Sequence, residues 1–158
     1  MIDKGEQDGI GKDWGVVAPQ GVVGRVVGVG KNYALVQSAI NTDFRTSVVF
    51  QKPDATLEGN LGIFSWQGGD MRYGRVNYIP ETASLSQGDR ALTSSSSTVF
   101  PPGFLVGVLE ENDPTPREGF YDIEIKLAVD FSALSYVYVV RNPVNEQIDS
   151  LYQQIPPQ

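Results

Sequence analysis

The strongest constraint on the fold is a period of two that recurs in short runs, each cut off by a turn. Tyr121, Ile123, Ile125, Leu127 and Val129 alternate with Asp122, Glu124 and Lys126. That is the pattern of a strand with one buried and one wet face. Thr46, Val48 and Phe50 share a face in a second run, and Met71–Ile79 alternates with Tyr73 and Tyr78 among its aromatics. The pattern predicts strands near 14–18, 21–29, 33–40, 46–51, 57–64, 70–79, 90–94, 104–110, 120–128 and 135–141. Between them lie Pro19-Gln20-Gly21, Gly30-Lys31-Asn32, Gly68-Gly69-Asp70, Gln87-Gly88-Asp89 and the segment Asn112–Gly119. Seventeen glycines and ten prolines in 158 residues supply these turns and disfavour long helices. Many short strands at this spacing predict an all-β sandwich or barrel.

Two stretches modify the pattern. In Val22–Val29 the face of Val22, Gly24, Val26 and Gly28 is thinned by glycine, while Val23, Arg25, Val27 and Val29 form the other. Such thinning suits a sharply bent strand or a close neighbour. Arg25 is expected at a rim, with its stem packed and its head wet. Asp130–Leu134 predicts one helical turn capped by Asp130, leading into the last strand. After Asn142-Pro143 the period changes. Val144, Ile148, Leu151, Tyr152 and Ile155 form an apolar stripe on a short helix, which Pro156-Pro157 ends.

The chemistry-bearing residue types are sparse. There is no histidine and no cysteine, which removes His-based triads, thiolate nucleophiles, disulfides and Cys-type zinc sites. Neither S-x-x-K nor G-x-S-x-G occurs, and the hydroxyls of Ser94–Ser97 have no evident base, so a polar turn is expected there. Gly28-Val29-Gly30 with Lys31-Asn32-Tyr33 fails the dinucleotide fingerprint G-x-G-x-x-G. Glu110, Glu111 and Asp113 lack the alternating oxygen spacing of a calcium loop and read as a solvated turn. No catalytic, metal-binding or cofactor-binding residue is therefore assigned. A net charge of −7 with twelve scattered Lys and Arg disfavours nucleic acid and anionic membrane surfaces. No apolar run reaches 18 residues, so membrane attachment is expected only through a segment outside this chain.

A set of motifs in fixed order is more specific than any one of these features. It begins with Asp3-Lys4-Gly5 and Asp8-Gly9-Ile10, then Val16-Val17-Ala18-Pro19 and Gly21-Val22-Val23-Gly24-Arg25-Val26. Gly88-Asp89, Thr93-Ser94 and Val99-Phe100-Pro101-Pro102-Gly103 follow, and Asp130-Phe131-Ser132 with Leu134, Tyr136 and Val137 closes it. In this order the motifs resemble the MreC family of bacterial rod-shape-determining proteins, from Asp3 to Arg141. Ser95-Ser96-Ser97-Thr98 stands where many members are glycine-rich, and Phe104 where leucine is common. The stretch from Lys52 to Arg75 carries no strong motif.

The resemblance implies a membrane-anchored protein with a short cytoplasmic tip, one membrane helix, a coiled coil and extracytoplasmic β-barrels, this chain being the last portion. The implied fold is all-β: two small, roughly six-stranded antiparallel barrels in a chymotrypsin-like arrangement without an active site, then a short C-terminal helix. Residues 1–45 supply too few strands for six, so either strands near 119–141 return to complete the first barrel, which is the favoured reading, or strongly bent strands are shared. Residues 46–118 form the second barrel, and 142–158 the helix and tail. The implied function is a non-catalytic scaffold of the cell-elongation complex, which positions or activates peptidoglycan synthases. Its implied partners are a class B penicillin-binding protein (a transpeptidase), MreD, other elongation proteins, and itself as a dimer or filament. No cofactor is implied. Contact candidates are Tyr33, Phe44, Trp66, Phe100 and Phe104, each at or beside a predicted turn. The alternatives are a peptidoglycan-glycan binding module using Trp14 and Trp66, and a serine hydrolase using a hydroxyl of Ser94–Ser97.

Overall fold

The computed structural model describes residues 1–52, 59–112 and 114–156, without the side chains of residues 145, 146 and 149. Its strands are β1 (Gly15–Ala18), β2 (Gly21–Val29), β3 (Ala34–Ser38), β4 (Arg45–Gln51), β5 (Leu61–Ser65), β6 (Tyr73–Pro80), β7 (Arg90–Thr93), β8 (Leu105–Leu109), β9 (Phe120–Leu127) and β10 (Tyr138–Val140). A 3-10 turn at Glu6–Asp8 precedes them and a helix, α1 (Pro143–Gln153), follows. The chain is therefore all-β with one short terminal helix. Residues 57 and 58 of the strand expected near 57–64, and Asp113 of the acidic turn, lie outside the described residues.

Six strands close into a barrel in the order β4-β5-β6-β9-β8-β7, and four form a separate sheet in the order β10-β1-β2-β3. All the pairings are antiparallel. Two expected features change. The N-terminal unit is a four-stranded sheet where a six-stranded barrel was expected, and only β10 returns to it. The strand near 120–128 stays with the second unit, because β9 pairs with both β6 and β8 and so closes that barrel. Its inward residues Ile123 and Ile125 are part of the barrel core. In place of further strands, Ile2, Ile10, Trp14 and Val137 cover the sheet's own small core of Val16, Ala18, Val23, Val26, Ala34 and Val129.

β1 and the first half of β2 are buried on both faces. Val17 and Val22 point into the barrel cluster with Phe44, Phe100 and Val106, whereas Val16, Val23 and Val26 point away into the small core. Strict alternation along β2 would separate Val23 from Val26. Register shifts between Val16 and Val17 on β1, and between Val26 and Gly28 on β2, each admit one extra residue. Each extra residue moves the alternation by one, so Val23, Val26 and Val29, three apart, share one side. The join to the barrel is close: a Cβ at Gly21 would collide with the Leu105 carbonyl oxygen, and one at Gly15 would sit 2.6 Å from the Phe100 ring. Glycine is required at both positions by this approach.

Arg25 sits at a rim, half-buried, with Nε donating to Gln37 Oε1 at 3.2 Å. The turn expected at Asp130 is an Asx turn that does not extend into a helix. Asp130 Oδ1 accepts from the Ser132 backbone N–H at 3.0 Å and from its hydroxyl at 2.6 Å. Those bonds hold the Asp130 carboxyl below its ordinary range, the Ser132 side-chain hydrogen bond contributing most. α1 begins where Asn142-Pro143 places it. Asn142 Oδ1 accepts from the Val144 N–H, and its Nδ2 donates to the Ser97 and Phe100 carbonyls, both at 3.0 Å. No helix among the described residues is long and apolar enough to cross a membrane.

Candidate partner-binding surfaces

The five nominated contact residues separate by burial. Phe44 and Phe100 are 1% and 0% exposed and belong to the barrel core, so a partner cannot touch them in this fold. The physical reason is that each begins or ends a turn but points inward. Phe44 meets Phe64 edge-on at 6.2 Å between ring centres. Phe104 packs against the same core. Trp66 is half-buried, and its indole N–H donates to the Asp70 carbonyl at 3.0 Å. Tyr33 is exposed, with Leu35 exposed beside it on β3.

The serine run is a backbone-bonded turn. Ser94 is buried and its hydroxyl lies 2.8 Å from that of Ser47, while Ser97 Oγ accepts from the Val99 and Phe100 N–H groups. Trp14 packs on the small core of the sheet, whereas Trp66 lies in the β5–β6 loop of the barrel. The two tryptophans therefore belong to separate units.

The barrel wall carries an aromatic patch that periodicity alone did not single out. Tyr78 has φ of +66°, a left-handed conformation uncommon outside glycine and asparagine, and is 67% exposed. It sits where the β6–β9 register shifts between Val76 and Ile79. The neighbouring Asn77 Oδ1 is buried with no hydrogen-bond partner. On the two strands that pair with β6, Leu61 at the start of β5 and Phe120, which pairs with Pro80, are also exposed. A strained backbone and an orphaned buried acceptor thus lie side by side in β6, between two strands that each carry an exposed apolar residue. Strain of this kind costs about 1–3 kcal/mol and persists where the surrounding structure or a function holds it.

A second surface lies between the two units. Two clefts, of about 510 and 430 Å3, meet at the crossover Ala128–Asp130. Met71 and Phe131 line the first cleft beside Asp70 and Arg72, and Leu134, Tyr136 and Tyr138 line the second beside Gln20 and Ser135. Tyr136 is 81% exposed, and β10 behind it is an open edge. At the mouth, Arg72 makes a bidentate pair with Asp70, Nη2 to Oδ2 at 2.8 Å, and stacks over Tyr73. The Arg72 hydrogen bonds hold the Asp70 carboxyl down at about 2. Lys126 Nζ lies 3.8 Å from Glu110 Oε1.

The family model for the rod shape-determining protein MreC, barrel core, matches residues 1–141. The chain belongs to the MreC family. That family consists of cell shape-determining proteins and not enzymes. MreC of Listeria monocytogenes is 27% identical over 144 residues, covering 89% of this chain and 47% of the relative. The chain thus spans about half the length of that curated relative. A solved MreC structure from Listeria monocytogenes matches with a TM-score of 0.77 at 26% identity, over 89% of this chain and 66% of the other. A complex between penicillin-binding protein PBP2 and MreC from Helicobacter pylori matches with a TM-score of 0.63 at 20% identity, over 80% of this chain and 75% of the other. The last likeness shows the shared fold alone.

Sequence reasoning missed Tyr78, Leu61, Phe120, Tyr136 and Tyr138 as surface residues because all lie within strand-like runs rather than at turns. One signal was available for β9: Phe120 shares its parity with Asp122, Glu124 and Lys126, the wet face.

Proposed function

We propose that the chain is the extracytoplasmic barrel portion of a cell-elongation scaffold, held to the cell membrane by a segment outside this chain. It binds and positions a class B penicillin-binding protein by surface contact, with MreD and further copies of itself as additional partners. Membership of the MreC family supports this reading, as does the PBP2–MreC complex formed by a Helicobacter pylori protein of the same fold.

The observation that carries the residue-level proposal is the barrel-wall patch, with Tyr78 as anchor and Leu61 and Phe120 on the neighbouring strands. Tyrosine is enriched at binding hot spots because it buries a large rigid ring and keeps a polar tip. Of the residues nominated from sequence, Tyr33 stays available as a second contact, next to Leu35, and Trp66 only through its exposed part. Titrating the chain with the ectodomain of its cognate transpeptidase tests the proposal. Tyr78→Ala and Phe120→Ala should each weaken binding by about 30-fold, the size of a hot-spot loss. Absence of saturable binding by the unaltered chain sinks the scaffold reading. Unchanged affinity in both variants sinks only this patch.

A further inference from the structure

Val76 and Ile79 are both fully buried although they stand three apart on β6, where strict alternation would put one of them outside. The bulge between them makes up the difference. Asn77 and Tyr78 of β6 together face one residue of β9, Asp122, which among the described residues pairs with none on β6 or β8. Two features hold this bulge. On the β9 side, one guanidinium takes both the side chain and the main chain of Asp122: Arg75 Nε donates to Oδ1 at 2.8 Å and Nη2 to the backbone carbonyl at 3.2 Å. On the β5 side, a Cβ at Gly62 would sit 2.6 Å from Val76 Cγ1 and 2.7 Å from Ile79 Cγ1, so glycine leaves room for the two inward side chains.

We propose that Arg75 is the positioning residue of the Tyr78 contact: by holding Asp122 it fixes the bulge that turns the Tyr78 ring to solvent. Arg75 precedes Tyr78 on the strand that bulges, and Asp122 lies on the strand that faces it. The clamp therefore spans the two strands whose mismatch creates the bulge. Arginine suits this task and lysine does not, because the guanidinium is a rigid fork of donors, whereas an ammonium on a flexible stem is a point charge. A bulge fixed before the encounter removes the ordering cost that a mobile contact residue adds to binding. Charge steering by Arg75 itself is the competing account. Glu111, Asp122, Glu124 and Arg117 share its cleft, and the Asp122 carboxylate already neutralises it. Arg75 thus has little free charge to offer a partner, and its effect on binding runs through Tyr78.

The inference rests on the Tyr78 reading of the proposed function. Titration with the ectodomain of the cognate transpeptidase tests it as a double-mutant cycle. Arg75→Gln should weaken binding about tenfold when Tyr78 is present, and by less than about twofold in the Tyr78→Ala background. Arg75→Lys keeps the cation but loses the fork, and should stay near the Arg75→Gln value. Because the ion pair is partly exposed, the unfolding midpoints of both variants should stay close to that of the unaltered chain. NMR of the free chain supplies a readout that needs no partner. The positive φ of Tyr78 brings its own amide and α protons together, and the resulting strong signal should weaken in Arg75→Gln as the bulge relaxes.

An Arg75→Gln loss of the same size in both backgrounds overturns the proposal, because it makes Arg75 itself a contact. So does full affinity in Arg75→Lys, which reduces the role to charge, or an amide–α signal unchanged in Arg75→Gln. Unchanged affinity in Tyr78→Ala sinks the Tyr78 reading and, with it, the role of Arg75 in binding. Affinity lost in Tyr78→Ala but kept in Arg75→Gln sinks this inference alone and leaves the contact standing.

Discussion

The closed barrel and the open sheet are built from the same kind of strand, yet they meet solvent differently. The barrel completes its cycle of hydrogen bonds through β9 and hides Phe44, Phe64 and Phe100 at its centre. The sheet stops at four strands and keeps two edges, β3 and β10. Its edges are managed locally. Ile2 bridges Ala34 at one end of β3, and β10 is only three residues long. Short or covered edges limit uncontrolled pairing. The lesson is that closure decides where exposed apolar residues can gather. On the barrel Tyr78 turns outward at a bulge, while Phe120 faces outward by ordinary alternation. On the sheet they collect along the margin, as at Tyr33, Leu35, Tyr136 and Tyr138.

The comparison breaks if the two units prove to be independent. Val17 and Val22 of the sheet sit in the barrel cluster, so one cooperative unfolding transition is expected. Phe64→Ala should destabilise by about 3–5 kcal/mol, because it empties a fully buried ring site. Val26→Ala in the small core should cost about 2 kcal/mol, two methyl groups plus a partly collapsed cavity. Urea titration followed by tryptophan fluorescence checks both, since Trp14 reports from the sheet and Trp66 from the barrel. Separate midpoints for the two probes would show that the shared valines do not couple the units.

Asn142 joins sheet, barrel and helix through three hydrogen bonds from one side chain. Asn142→Ala leaves two carbonyls in a buried site unpaired and removes the helix cap, at a cost of about 2 kcal/mol. Amide exchange in α1 should quicken by more than exchange in β10. Equal acceleration in both elements would mean that the cap is incidental and the clamp on the barrel is the main effect.

The comparison also separates what could be read from sequence from what could not. Strand positions were legible because alternation and turn residues are local: β2 was expected at 21–29 and is found there, and Asn142-Pro143 marked α1 correctly. Strand partnership was not legible. Nothing in Phe120–Leu127 says whether its neighbours are β1 or β6 and β8, since the inward Ile123 and Ile125 would suit either core. Surface identity failed for a related reason. A turn shows where the chain reverses but not which way a side chain at its base points, so Phe44 and Phe100 were nominated and are buried. Tyr78 was passed over because a bulge is a property of two strands, and a single strand's sequence does not reveal it.

Tyr78 sharpens the barrel side of the comparison. Replacing a tyrosine at positive φ by glycine relieves the backbone penalty, so Tyr78→Gly should stabilise the fold by about 1 kcal/mol. The same substitution should weaken transpeptidase binding. Stability and binding moving in opposite directions is the mark of strain kept for contact. A variant that loses both would show that the ring supports the barrel wall instead.

The smallest expected effect concerns the mouth of the groove. Asp70 titrates at about 2 against an ordinary 3.8, its carboxylate held first by the Arg72 side chain and then by the Arg72 backbone N–H. A carboxyl whose folded value is depressed adds stability that is fully present above about 3.8 and is lost as pH falls through about 2. Because this pair is exposed, the gain is screened and small, and a site-resolved titration is a better readout than unfolding. The carboxyl carbon shift of Asp70 should move with a midpoint near 2, and in Arg72→Ala the midpoint should rise towards the ordinary value. An unmoved midpoint in that variant would assign the depression to something other than the guanidinium. Added salt should raise the Asp70 midpoint, because the exposed pair is screened.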